Sequence, residues 1–195
     1  MRKQVSKEAE LQFLSFRKGE EKGFAYFFHL FYSRVRFFAS RLLDDRPEAE
    51  DVTEEAFIKL WRRHEQFEGV DAVRNFLYLV VRNACFDFLR QDKRETSRNE
   101  AFSRLTGTTE NFILEEMIRS EVMGEVQEAI NNLPMQCKRI FHLYVEGKSY
   151  AEIAAELQLS VSTIRNQKAR ALQLIRQQLV VLPVLVSCFF PNFLK

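Results

Sequence analysis

The chain has 195 residues, 46% of them hydrophobic, with 29 Lys and Arg against 27 Asp and Glu for a formal net charge of +2. That length carries one large domain or two small ones. Six Gly and four Pro beside 19 Phe exclude a fold of many short strands and turns, and the near-neutral total means that any nucleic-acid contact must come from locally concentrated charge.

The opening MRKQVSKEAE has no apolar run, so no secretory signal is expected. Cys85, Cys137 and Cys188 lie far apart, with no C-x-x-C or paired His. They are expected to be reduced, buried thiols of a cytoplasmic protein that holds no metal and no cofactor.

Residues 8–17 read as a short amphipathic helix with Leu11, Leu14 and Phe16 apolar, broken by GEEKG. From Phe24 to Leu43 the apolar residues Phe24, Phe27, Phe28, Phe31, Val35, Phe38 and Leu42 recur at helical spacing. Residues 44–47 break the pattern, and Pro47 suits the first turn of the next helix. That helix, EAEDVTEEAFIKLWRR at 48–63, has a stripe of Ala49, Val52, Ala56 and Leu60. Acids fill its first turns and bases its last, in the order the helix dipole favours. Ile58 and Trp61 lie off the stripe, so a second face is expected to be buried, internally or against a partner.

HEQFEGVD at 64–71 reads as a loop, and residues 72–90 as a helix with room for one kink. Arg74, Arg82, Arg90, Lys93, Arg94 and Arg98 are interleaved there with Phe76, Tyr78, Phe86 and Phe88, against Asp87, Asp92 and Glu95. Cations beside rings suit melted DNA, whose bases stack while its phosphates meet charge; a core helix with a solvated face has the same pattern. Residues 91–116 turn polar and weakly periodic, which reads as a linker between two helical domains.

A helix over 117–133 ends at Leu133-Pro134, and another follows up to a C-capping Gly147. Ser149-Tyr150-Ala151-Glu152 fits a capping box. Ile153, Ala154 and Leu157 face inward, Gln158-Leu159 turns with Leu159 buried, and Ser160 caps the next helix. There Val161, Ile164, Ala171, Leu172, Ile175 and Leu179 form one stripe. Ser162, Thr163, Arg165, Asn166, Ala169, Arg170 and Gln173 spread over the rest, and no acid occurs after Glu156. This pattern predicts a helix-turn-helix whose second helix enters the major groove. Arg can bond guanine and Asn adenine, Ser162 and Thr163 can offer backbone N–H groups to phosphate, and Lys168, near the apolar stripe, can snorkel to one. The tail, LVVLPVLVSCFFPNFL at 179–194, is short for a membrane span.

Four stretches resemble the sigma factors of bacterial RNA polymerase, of the extracytoplasmic-function type, in the family's order: KGEEKGFAYFFHLFYSRV, AEDVTEEAFIKLW, NFLYLVVRNACFDFLR and LPMQCKRIFHLYVEGKSYAEIAAELQLSVSTIRNQKARAL. The resemblance covers about residues 8–178. It implies an all-α chain of two small helical domains joined by a flexible linker: region two at 8–91, the linker at 92–116, region four at 117–179 and an apolar tail at 180–195. It implies a helix docking on core RNA polymerase through Asp51, Glu54, Glu55, Ile58 and Trp61. It implies minus-ten DNA contacts by Phe76, Tyr78, Arg82, Asn83, Asp87 and Arg90, with Asn83 near the pocket for a flipped base. The minus-thirty-five element would be read by Ser162, Thr163, Arg165, Asn166, Lys168 and Arg170. Further expected partners are promoter DNA and an anti-sigma factor, often membrane-bound in this family, to which the tail could contribute. The sequence departs from the family at Phe76, where Trp is usual, at Gln167, where Arg or Lys is common, and at Lys168, where an apolar residue is common. The rival reading is a dimeric helix-turn-helix regulator binding operators without polymerase, which leaves AEDVTEEAFIKLW without a role. An enzyme such as a recombinase is not expected, because no nucleophile has an evident base and the acids of 48–55 have no partner cluster.

Overall fold

Turn-forming residues punctuate a chain of helices. The computed structural model describes the backbone of residues 2–44, 46–95 and 110–179, and within these the side chains of 8–44, 47–91 and 110–179. The helices are α1 (Arg2–Arg17), α2 (Glu21–Leu43), α3 (Arg46–Arg62), α4 (Val70–Glu95), α5 (Glu110–Asn131), α6 (Met135–Val145), α7 (Tyr150–Leu157) and α8 (Val161–Gln178), with a 3-10 turn at His64–Gln66. The architecture is all-α, as the scarcity of turn residues predicts. Two compact units divide between Glu121 and Val122.

In the first unit, α1 stops because Gly19 takes a left-handed φ of 71°. The Gly19 N–H then reaches Phe16 O and the Glu20 N–H reaches Ser15 O at 3.0 Å, which satisfies the helix's last carbonyls. Gly23 serves a different purpose: a Cβ there would fall 2.2 Å from the backbone N of Phe16, so only glycine lets α1 and α2 cross this closely. Asp44, also left-handed at φ 53°, ends α2 before Pro47 enters the first turn of α3. The core joins Phe16 of α1, Phe27, Phe31, Val35 and Phe38 of α2, Ala56, Phe57 and Leu60 of α3, and Val73, Leu77, Val81, Cys85 and Leu89 of α4. Its rings interlock, Phe16 meeting Phe27 edge-on at 5.2 Å, a geometry that adds to area burial. Burial pushes the Cys85 thiol up to about 12, so it stays protonated and inert. The 72–90 expectation is extended in both directions, since α4 runs without interruption from Val70 to Glu95.

Two expectations are corrected here. On α1 the inward ring beside Phe16 is Phe13, while Leu11 and Leu14 are exposed. Residues 110–116 are not linker. They begin α5, whose first half belongs to the first unit through Ile113 and a set of charged contacts. Glu116 is 2% exposed and accepts from Arg41 Nε at 3.1 Å; Glu121 accepts from the Tyr78 hydroxyl at 2.8 Å and from Arg34 at 3.3 Å. Meanwhile Leu114 and Ile118 point outward. That inversion, charge inside and apolar outside, is why this stretch lacks helical periodicity in sequence. The remaining linker residues 96–109, the side chains of Lys93, Arg94 and Arg98, and the tail 180–195 with Cys188 lie outside the described residues.

The second unit packs the end of α5 and α6 onto α8 through Val122, Val126, Ile130, Leu133, Cys137, Phe141, Ala171, Ile175 and Leu179. A smaller cluster of Ile140, Ile153, Ala154 and Ile164 seats α7 against α8. Gly147, at φ 93°, closes α6. Val161 is exposed and Leu159 half-buried, both less enclosed than the stripe predicts.

Gly23→Ala is expected to cost about 1–3 kcal/mol, because the clash is with backbone and cannot be relieved by a rotamer. Urea denaturation would measure it. An unchanged midpoint would show that α1 does not depend on this crossing.

Candidate nucleic-acid and partner interfaces

On α3, burial of Ala49, Thr53, Ala56, Phe57 and Leu60 turns Asp51, Glu54, Glu55 and Ile58 outward in one stripe. Thr53 is accommodated in the core because its hydroxyl donates to Ala49 O at 2.7 Å. Ile58 is 46% exposed among the acids. The second face of α3 is therefore not buried internally. Trp61, partly exposed, closes the stripe with its edge on Phe24 at 5.2 Å and its face stacked on His64 at 5.3 Å. Glu55 pairs with Lys59 at 3.5 Å; among the described residues no cation is within ion-pair range of Asp51 or Glu54. The field reaches Tyr32, whose hydroxyl is held above its ordinary value by burial first and then by the charges of Glu50 and Glu54. An acidic stripe around an apolar centre, ending in a Trp, is suited to a partner offering cations around an apolar patch.

The opposite logic holds on α4. Val73, Leu77, Val81, Cys85 and Leu89 recur every four residues and are buried, which leaves Leu79, Arg82, Asn83, Asp87 and Arg90 exposed. Arg82, Asn83, Phe86, Asp87 and Arg90 line a cavity of about 320 Å³, at the small end of ligand sites. Within it the Arg82 guanidinium lies 5.6 Å from the Phe86 ring centre, and Arg90 pairs with Asp87 at 3.3 Å. The cavity thus offers a ring face, an amide and cations, the groups that stack on and hydrogen-bond an unpaired base. The structure brings together four of the six residues expected on this surface. Phe76 stands apart, half-buried edge-on against Phe67 at 5.1 Å with the Arg63 guanidinium 5.8 Å from its ring centre. Tyr78 is corrected: it is 2% exposed, and burial together with the neighbouring Glu121 charge pushes its hydroxyl far above its ordinary value. It belongs to the core. Leu79, 52% exposed on this face, was missed in sequence, where a Leu in a Phe-rich helix reads as core.

The helix-turn-helix of the second unit is capped as the sequence predicts. Ser149 accepts from the Glu152 N–H at 3.3 Å while the Glu152 carboxylate accepts from the Ser149 N–H at 2.8 Å. That reciprocal pair, with a backbone bond among its causes after the Ser149 side chain, holds the Glu152 carboxyl below its ordinary value. Gln158 turns at φ 54°, and Ser160 accepts from the Thr163 N–H at 3.1 Å. This N–H is therefore engaged in the cap, and Ser162 is exposed beside it.

Burial of Ile164, Ala171 and Ile175 leaves Ser162, Arg165, Asn166, Ala169, Arg170 and Gln173 on one exposed face of α8 without an acid. Gln167 turns inward, accepting from Cys137 Sγ at 2.9 Å and donating toward Gln136 at 3.5 Å. Lys168, expected to snorkel toward a phosphate, places its ammonium 4.1 Å from the centre of the Tyr144 ring. Such a contact contributes about 0.5–1 kcal/mol when exposed and more when shielded from water.

Among the described residues no group of His, Cys, Asp and Glu could hold a metal ion, and no helix is long and apolar enough to cross a membrane.

Two family models match the chain, one in each unit. Sigma-70 region 2 matches residues 27–95, which contain the α3 and α4 faces, and Sigma-70 region 4 matches 123–175, which contain the helix-turn-helix. Similar proteins include the ECF RNA polymerase sigma-E factor of Haemophilus influenzae, 28% identical over 84% of this chain and 90% of that one. The ECF RNA polymerase sigma factor SigW of Bacillus subtilis is 24% identical over 84% of this chain and 92% of its own length. The ECF RNA polymerase sigma-E factor of Escherichia coli K12 is 30% identical over 82% of this chain and 87% of that one. With two family regions on two units and that identity across most of both chains, this chain belongs to the ECF sigma factors of RNA polymerase.

Proposed function

We propose that the chain binds core RNA polymerase through the outer face of α3, captures an unpaired promoter base at the α4 cavity, and reads an upstream element with the outer face of α8. The protein is a promoter-specificity subunit for transcription initiation, and its chemistry is binding and DNA opening, not bond making. The observation that carries the reading is the pairing, in one chain, of an acid-free exposed face on α8 with an acidic, Trp-ended face on α3. One suits phosphates and base edges; the other would repel them and suits a protein.

Asp51, Glu54, Glu55, Ile58 and Trp61 form the polymerase contact. Arg82, Asn83, Asp87 and Arg90 form the base-capture site, with Phe86 as its ring. Arg165, Asn166 and Arg170, with Ser162 at the helix start, form the upstream reading surface. Each DNA module binds weakly by itself. Joining both in one chain and fixing them on polymerase raises their effective concentration on a two-part promoter. An anti-sigma factor that covers the α3 stripe would hold the protein inactive, and the site of action is the cytoplasm, where polymerase and promoters meet.

Run-off transcription tests the whole reading. Purified core polymerase, a genomic promoter pool and this chain are expected to yield transcripts that share two spaced motifs and disappear when the chain is omitted. Binding to palindromic sites without polymerase, and no dependent transcript, would instead identify a dimeric regulator.

Two substitutions test the parts. Arg165→Ala should lose about 1–3 kcal/mol of discrimination at one base pair of the upstream element, read as the shift in promoter preference across a randomised library. Ile58→Asp should leave the melting temperature within a few degrees, since the side chain is exposed, yet weaken core binding at least about tenfold. The single Trp gives one reporter when this chain alone is labelled with 5-fluorotryptophan. If the Trp61 fluorine signal does not respond when core polymerase is added, the α3 stripe is not the contact.

A further inference from the structure

The side of α8 that faces α6 and α7 carries cations on rings where apolar packing is expected. Tyr144, in the last turn of α6, and Tyr150, the first residue of α7, stack at 5.7 Å with their planes 17° apart. Lys168 places its ammonium 4.1 Å from the Tyr144 centre and 5.9 Å from that of Tyr150. Arg165 sets its guanidinium 5.8 Å from the Tyr150 centre. Two cations one helical turn apart therefore meet a two-ring surface. Like charges repel on a shared ring, and the second ring relieves this: Lys168 settles on Tyr144, which leaves Tyr150 for Arg165.

Among the described residues no carboxylate lies within ion-pair range of either cation. The acids on α7 are engaged elsewhere, Glu152 in the capping box and Glu156 with Lys148 at 2.6 Å. The two tyrosines, by their ring faces and for Lys168 also by their hydroxyls, are thus the contacts that orient these two long side chains. An exposed guanidinium without a partner samples many rotamers, and a base contact requires one of them; a ring face restricts the choice before DNA arrives.

We propose that the Tyr144–Tyr150 pair is a positioning platform for upstream-element recognition: it orients Arg165 toward its base pair and withholds the Lys168 ammonium from the DNA phosphates. This rests on the reading of Arg165 as a base contact. The tyrosines touch no DNA and act through the cations. Lys168, although it sits on the DNA-binding helix, adds nothing to the count of neutralised phosphates.

The test uses the full chain on core polymerase with a promoter library randomised in the upstream element, comparing wild type, Arg165→Ala, Tyr150→Phe, Tyr150→Leu and Tyr150→Met. Tyr150→Leu is expected to reduce preference about two- to fivefold at the same base pair that Arg165→Ala affects, and Tyr150→Phe, which keeps the ring face, to retain it. Tyr150→Met, unbranched and ring-free, repeats the measurement if the Leu variant fails to fold. In parallel, the salt dependence of holoenzyme binding to a recovered promoter is measured for Lys168→Met, which fills the same space without charge. Its log–log slope is expected to match wild type, whereas loss of one phosphate contact would lower the slope by about 0.9. A silent Tyr150→Leu or Tyr150→Met beside an effective Arg165→Ala overturns the platform alone. A Phe variant that loses as much as the Leu variant assigns the effect to the hydroxyl and overturns it as well. A reduced slope for Lys168→Met makes Lys168 a phosphate contact and overturns the second half. An Arg165→Ala variant that keeps every preference overturns the base-contact reading, and the Arg165 half of the proposal with it.

Discussion

The four-residue recurrence of Val73, Leu77, Val81, Cys85 and Leu89 along α4 is the constraint from which the first unit's exposed cavity face follows. Successive residues of a helix turn by about 100°, so a stripe at this spacing leaves the opposite side unable to enter the core. Leu79, Arg82, Asn83, Phe86 and Arg90 occupy that side. The rings of α2 hold the stripe, and the crossing of α1 at Gly23 closes the core behind them. Core and site are thus two consequences of one packing: a shift of α4 by one residue would rotate Asn83 out of its cavity while exposing apolar surface.

The second unit uses the same device and relies more on caps. A capping box at Ser149 and a left-handed Gln158 bound α7, whose eight residues alone would not sustain a helix, and the Ser160 cap starts α8. Between these fixed ends Ile164, Ala171 and Ile175 orient α8. Polar residues refine the surface. Gln167 is drawn into α6 by Cys137 and Lys168 onto Tyr144, so the exposed face is narrower than its composition suggests. Gln167 and Lys168 are the two that turn away from the exposed, acid-free side of this helix.

Charge burial in the first half of α5 is a different matter. A buried ion pair gains little over an apolar contact of the same shape, because desolvation offsets most of the attraction. Breaking one partner is costly, however, since it leaves a charge stranded. Glu116 with Arg41, and Glu121 with Arg34 and Tyr78, therefore specify one register for this segment more than they add stability. Tyr78 takes part because it lies one residue beyond the α4 stripe, on the side where α5 packs.

Periodicity in the sequence by itself determined the helices with apolar stripes, both caps of the helix-turn-helix, the acidic face of α3 and the exposed cations of α4 and α8. These are local properties: they depend on residue type and on spacings of three or four. Tertiary structure decided what local spacing does not encode. It assigned Tyr78 to the core through a carboxylate 43 positions away, and turned Leu79 outward in a helix where every large apolar residue looks alike. Residues 110–116, polar enough to read as linker, became helix because Arg41 receives the charge of Glu116. Lys168 found two rings contributed by other helices. For Tyr78, Glu116 and Lys168 the deciding contact joins residues distant in sequence, and a side chain with both an apolar stem and a polar end takes its place from whichever partner the fold brings near it.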